Sequence, residues 1–85
     1  MTKQFPSGQI KIRKAILVFL KHAGPPIVLY SDEPEELYLD LKSCIEKSSA
    51  AAPKLIERQA KGPVKTLAVL DTIIAGVAIQ EESYV

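Results

Sequence analysis

The sequence predicts a small α+β domain, with a β-hairpin, one helix and two or three further strands in a mostly antiparallel sheet. Short apolar runs bounded by proline and glycine are typical of strands joined by tight turns. One stretch instead has apolar residues at helical spacing behind an acidic start, which predicts a single surface helix. The chain of 85 residues has room for one domain, and its composition, 47% apolar and 25% charged, is ordinary for a globular protein.

The first two strands are predicted on either side of a proline turn. Residues 10–21 open with alternating apolar side chains and continue as the apolar block 15–20. The turn at residues 23–26 interrupts this run, because its two successive prolines cannot donate ladder hydrogen bonds. The short apolar run 27–30 follows, so we expect a hairpin with a short loop.

A helix is predicted next, because acidic residues and proline occupy what would be its first turn. Ser31 and Asp32 can cap the exposed amides of a helix start, and Asp32 with Glu35 has the spacing of a capping box. Proline is tolerated there, since the first amides of a helix have no partner within it. Pro53 forces an end. The apolar side of the helix is formed by Leu37, Tyr38, Leu41, Cys44 and Ile45.

Residues 54–60 allow two interpretations. Pro53 before them and Gly62 after them favour a second helix, whereas residues 55–58 are also compatible with a strand. Both alternatives stay open from the sequence.

The last third of the chain is predicted to form two more strands, at 64–70 and 73–80. The second is expected to place alternate residues on one face, and these are Ile73, Ala75, Val77 and Ile79. The predicted organisation is a flexible tail at 1–9, one α+β domain at 10–80 and a C-terminal tail at 81–85.

Residues 15–80 contain, in this order, an apolar strand, a proline turn, a second strand, a helix and further paired apolar strands. The residues that carry this pattern are Pro25-Pro26, Leu37-Tyr38, Val64-Lys65, Ala68-Val69-Leu70, and Ile74 with Val77. In this order they resemble a small, functionally uncharacterised family known mainly from cyanobacteria. The sequence departs from that pattern at 53–60, where the family has a stronger β-run. The resemblance implies a hairpin, helix, hairpin arrangement, and it brings no activity, cofactor or catalytic residue.

No catalytic, cofactor or metal site is predicted. Cys44 falls on the apolar side of the helix, where cysteine behaves as a small hydrophobe, and nothing brings it to His22, the single histidine. These two residues fall short of the four ligands of structural zinc. The acidic run 32–36 lacks the alternating acids and the glycine of a calcium loop. We expect no enzyme, and a site assembled at an oligomer interface from Cys44 or His22 is the alternative.

Nucleic-acid binding is a second alternative, through two groups of basic residues. The candidates are Lys11, Arg13, Lys21, Lys54, Arg58, Lys61 and Lys65. The net charge is only +1, and sheet-based RNA binding usually adds exposed aromatic residues for stacking. Lysines that protect a strand edge from aggregation would explain the first group equally well.

Several predicted strands are apolar on both faces, since residues 15–20, 68–70 and 73–79 do not alternate. Such strands need cover on both faces, and one helix covers only one. A partial barrel, a second helix at 53–60 or another molecule would supply the rest. We expect another molecule, so that the chain is an interaction or regulatory module and a homodimer or higher oligomer. The candidate self-association residues are Leu17, Phe19, Leu67, Val69, Ile74 and Ala78.

The expected location is the cytoplasm. The apolar block 15–20 is too short for a signal peptide or a membrane span, and a single cysteine excludes an internal disulfide. We expect no membrane partner. An unknown protein partner is compatible with the same apolar surface.

Overall fold

The computed structural model describes residues 11–22 and 24–84, and it confirms a small α+β fold with one helix in that part of the chain. The strands form two antiparallel sheets, one of three strands and one of two, where the sequence predicted one. The predicted tail at 1–9 lies outside the described residues. The elements in chain order are β1 (Lys11–Leu20), β2 (Ile27–Tyr30), α1 (Pro34–Lys47), β3 (Leu55–Gln59), β4 (Thr66–Leu70), a single 3-10 turn (Asp71–Ile73) and β5 (Ile74–Tyr84). In the described ranges, no helix is long and apolar enough to cross a membrane.

The larger sheet has β1 in its centre, paired antiparallel with β2 on one side and with β5 on the other. β5 continues to Tyr84, which pairs with Lys11 at the start of β1. The predicted C-terminal tail from residue 81 is therefore wrong for residues 81–84. They form strand because the basic beginning of β1 extends far enough to pair with them.

A β-bulge at Ala75 changes which residues of β5 face the helix. Phe19 pairs with Gly76 and Leu20 pairs with Ile74, so Ala75 is an extra residue on β5. Ile74 is therefore buried, while Ala75 is exposed. The predicted common face of β5 is correct for Val77 and Ile79, which pack on the core, and wrong for Ile73 and Ala75, which are exposed.

Helix α1 begins at Pro34, as the sequence predicts, but the capping box does not form. Asp32 pairs with Lys61, and Glu35 pairs with Lys14 of β1. The Ser31 hydroxyl oxygen accepts a bond of 3.0 Å from the Glu33 N–H and so orders the chain before the helix. These ion pairs connect the helix start to β1 and to the chain after β3.

The β3–β4 hairpin resolves the ambiguous segment as strand. Ile56 pairs in register with Val69, and Arg58 pairs with Leu67. Ile56, Leu67 and Val69 pack on the core, whereas Leu55 on the other side of the hairpin is 66% exposed.

One core joins the sheet, the helix and the hairpin. Its buried members are Ile16, Val18, Leu29, Leu41, Leu67 and Ile74. Leu41 of α1 and Leu67 of β4 belong to the same buried cluster as Ile16 and Val18, whose side chains lie on one face of β1. The helix and the hairpin therefore lie on one side of the three-stranded sheet.

Candidate self-association surface

The outer face is the side of the three-stranded sheet that is directed away from α1. Side chains alternate along a strand, so the neighbours of the buried Ile16 and Val18 on β1 point to this face. Leu17 pairs in register with Val28 of β2 and with Ala78 of β5, and Phe19 pairs with Gly76.

The outer patch is defined as the uncharged side chains at the middle of this face. It consists of Leu17, Phe19, Val28, Gly76 and Ala78. All five lie outside the core cluster; Phe19 is 39% exposed and the others are half-buried among their neighbours. Within residues 11–22 and 24–84, no helix or strand lies over this patch.

A polar cluster ends the outer patch on one side. The Arg13 guanidinium carbon lies 4.2 Å from the centre of the Tyr30 ring and 5.0 Å from that of Tyr84, distances typical of cation–π contacts. Arg13 Nε donates to Glu82 Oε1 at 3.1 Å, and the Tyr30 hydroxyl donates to the same oxygen at 3.0 Å. Ala15, which pairs in register with Tyr30, is completely buried. The cluster therefore covers this end of the sheet with side chains of the chain itself.

Charge within the polar cluster is internally compensated. Desolvation and the hydrogen bond to Glu82 raise the pKa of the Tyr30 hydroxyl above its usual value. Desolvation opposes ionisation of Glu82, but hydrogen bonds from Tyr30, Arg13 and Gln80 outweigh it and hold the pKa of that carboxyl below its usual range. The carboxylate is thus the stable form, and it fixes both the arginine and the tyrosine.

The predicted self-association residues divide into two groups. Leu17, Phe19 and Ala78 lie together on the outer face. Leu67 and Ile74 are only 7% and 2% exposed, so they are not available to a partner. Val69 packs inward on the core. The prediction is wrong for these three because the hairpin folds onto the helix side and the bulge turns Ile74 inward.

Val28 and Gly76 belong to the outer patch, and sequence reasoning missed them. Val28 could have been found from the register of the first hairpin, which places this residue opposite Leu17. Gly76 reaches the patch only through the bulge, which depends on long-range pairing.

The predicted nucleic-acid residues are distributed over different parts of the molecule. Lys11 and Arg13 lie at the start of β1, and Lys21 follows its opposite end, about 30 Å away for a strand of this length. Three of the candidates form ion pairs, and these are Arg13 with Glu82, Arg58 with Asp40 and Lys61 with Asp32.

Arg58 connects the hairpin to the helix. Its Nε and Nη2 atoms lie 2.5 Å and 3.1 Å from the two carboxylate oxygens of Asp40, and Nη2 lies 3.5 Å from Cys44 Sγ. The hydrogen bonds from Arg58 hold the pKa of the Asp40 carboxyl below its usual value. Arg58 is therefore an internal brace, and Cys44 contacts this arginine on the half-buried side of α1.

His22 and Cys44 occupy different elements. His22 is exposed in the turn after β1, where its φ of 58° is left-handed, and Cys44 lies near the end of α1. Across the described parts of the chain, no three His, Cys, Asp or Glu side chains converge in an arrangement that could hold a metal ion.

An open groove of about 610 Å³ lies next to the polar cluster. Its lining includes Lys14 and Lys61, which form ion pairs with Glu35 and Asp32, and Arg13, which pairs with Glu82 of the polar cluster. Each of these cations therefore already has an acidic partner within the protein.

Comparison of the chain with known protein families, curated proteins and solved structures gives no match. The outer patch is therefore interpreted from its geometry, and the family resemblance stays a prediction.

Proposed function

We propose that this chain is a non-enzymatic interaction module that associates with copies of itself through the outer patch. The observation that carries the proposal is the division of the sheet into two faces. One face holds the core under α1 and the hairpin, while the other presents Leu17, Phe19 and Val28 with no described element over them.

A second copy suits this surface because the outer patch contains no charged side chain. Two copies whose outer patches meet face to face across a twofold axis therefore bury no charged side chain of the patch. The net charge of +1 adds little long-range repulsion between chains.

The size of the outer patch determines how strong this contact can be. The patch spans about three residues along the strands and three strands across, about 10 Å by 15 Å, so two copies bury on the order of 300 Å². At about 25 cal/mol per Å² this is roughly 7 kcal/mol of gross hydrophobic free energy. Association costs an estimated 4–15 kcal/mol, on the order of the gain. The face contact alone is therefore weak and concentration-dependent.

Sedimentation or light scattering over a range of concentrations tests the proposal. The wild-type mass should rise above the 9.3 kDa of one chain as the concentration increases. Phe19→Lys places a charge in the outer patch and should lower the mass. Leu39→Lys is the matched control, because Leu39 is 57% exposed on α1, away from the patch, and the mass should not change. A wild-type mass that Phe19→Lys leaves unchanged contradicts the proposal.

A further inference from the structure

The free edge of β5 is a second self-complementary feature of the sheet. β5 has eleven residues and lies at the edge of the three-stranded sheet. Among the residues that the structure describes, only β1 pairs with it. The opposite side of β5 therefore presents a row of backbone donors and acceptors.

The direction of these backbone groups follows from one hydrogen bond on the other side of the sheet. The Lys61 N–H donates to the Tyr30 carbonyl at 2.8 Å, so the backbone groups of Tyr30 point away from β1. Ala15 lies opposite Tyr30 in a pair that is not hydrogen-bonded, so the backbone groups of Ala15 point the other way, toward β5, where Ala15 pairs with Gln80. The residues of β5 whose N–H and C=O groups point to the free edge are Val77, Ile79, Glu81 and Ser83.

The two edges of the sheet are protected very differently. β2 has only four residues, follows two prolines and is crossed at its end by the Tyr30–Lys61 bridge. β5 contains neither proline nor lysine, and its bulge at Ala75 affects only one end. Short length, proline and lysine are the usual devices that prevent edge pairing. β2 has the short length and the flanking prolines, whereas β5 has none of the three devices.

We propose that β5 pairs antiparallel with β5 of a second copy, so that two sheets join into one of six strands. The charges of β5 favour this direction. Glu81 and Glu82 lie near one end, while residues 74–80 carry no charge. An antiparallel pair sets the acids of each copy beside the uncharged half of the other, whereas a parallel pair would place like acids side by side.

This inference rests on the proposed function, because edge pairing enlarges the same outer patch. A twofold axis perpendicular to the sheet keeps both patches on one side. Two such six-stranded sheets, face to face, bury on the order of 600 Å² of patch, twice the area of a single face contact, and the edge pairing adds its own backbone hydrogen bonds. The assembly therefore has four chains with two kinds of twofold contact.

Glu81→Pro tests the edge contact. Proline removes an N–H that points to the free edge and leaves the bonds from β5 to β1, which Gln80 and Glu82 make. The wild-type mass should approach four chains, and Glu81→Pro should lower it to two chains or fewer. Glu81→Ala is the matched control, since it removes the same charge and keeps the N–H, and it should retain the wild-type mass. Equal masses for Glu81→Pro and Glu81→Ala overturn the edge contact.

The two proposals fail in different ways. If the outer patch does not associate, Phe19→Lys keeps the wild-type mass while Glu81→Pro still lowers it. If the edge does not pair, Glu81→Pro keeps the wild-type mass while Phe19→Lys still lowers it.

Amide hydrogen exchange of the wild-type protein gives a second readout that needs no variant. The Val77 and Ile79 amides should exchange at least about tenfold more slowly in concentrated than in dilute solution. The Ala78 and Gln80 amides point to β1 and should be slow at both concentrations. Exchange at Val77 and Ile79 that does not depend on concentration overturns a second copy as the occupant of this edge.

Discussion

Leu17 of β1 lies in register with Ala78 of β5, and both side chains are on the face of the sheet opposite α1. The preceding residue, Ile16, points to the other face and is completely buried. Strand β1 therefore supplies the core with one set of alternate residues and the outer patch with the other.

Ile16→Ala and Leu17→Ala should separate these two roles. Ile16→Ala removes buried side-chain volume and should lower the free energy of unfolding by about 2–5 kcal/mol. Leu17→Ala, on the partly exposed face, should lower it by about 1 kcal/mol or less when the protein is dilute. Urea unfolding at low concentration measures both. Similar losses for the two variants would contradict the division of the sheet into a core face and a surface face.

Gly62→Ala should destabilise the fold through its contact with Tyr30. Gly62 has a φ of 88°, and a Cβ there would lie 2.6 Å from Tyr30 Cδ2. The left-handed backbone and the overlap together should reduce the free energy of unfolding by about 1–3 kcal/mol. Gly76→Ala is the control, because no atom lies within 4 Å of the added Cβ. Thermal unfolding should show a lower midpoint for Gly62→Ala only, and equal midpoints would argue against this turn geometry.

The brace between Arg58 and Asp40 should contribute modestly to stability. The two side chains are 33% and 40% exposed, so water screens their attraction. A double-mutant cycle with Arg58→Met and Asp40→Asn should give a coupling free energy of about 0.5–1 kcal/mol. The coupling should decrease in high salt. Additive effects of the two substitutions would show that this ion pair does not help to hold the hairpin on the helix.

Acid should destabilise the protein through Asp40. Its pKa is lower in the folded chain, so its ion pair stabilises the fold above about pH 4 and is lost as the pH falls through the folded value. Glu33 has the opposite effect on the pH dependence of stability, because a hydrogen bond with Glu36 raises the pKa of the Glu33 carboxyl in the folded chain. The difference between wild type and Asp40→Asn isolates the pair. Urea midpoints between pH 7 and pH 3 should converge for the two proteins as the pH falls, and a constant difference would contradict this linkage.

Local signals in the sequence predicted the elements whose ends are marked by proline. Pro25-Pro26 separates β1 from β2, and Pro34 begins α1 where expected. These elements are predictable because proline restricts the backbone independently of tertiary structure.

Long-range contacts explain the parts that could not be predicted. β3 has an inward Arg58 and an exposed Leu55, so its apolar residues do not alternate as a strand usually requires. Arg58 can point inward only because Asp40, eighteen residues earlier in the chain, accepts its hydrogen bonds. Similarly, the Ala75 bulge depends on pairing with β1, which no local pattern reveals.

The sequence predicted Leu17, Phe19 and Ala78 of the outer patch, but not Val28 and Gly76. The lack of alternation in residues 15–20 correctly indicated that β1 is apolar on both faces. Which residues of the later strands share its outer face depends on register and on the bulge. Leu67, Val69 and Ile74, which pack inward, were therefore wrongly assigned to the exposed surface.

Isotope-filtered NMR of a mixed sample tests the outer patch most directly. Half of the chains carry ¹³C and half do not, so each contact detected between labelled and unlabelled chains is intermolecular. Such contacts are expected from the methyl groups of Leu17 and Val28 at high concentration. Intermolecular contacts confined to Leu39 or Leu55, or none at all, would contradict it.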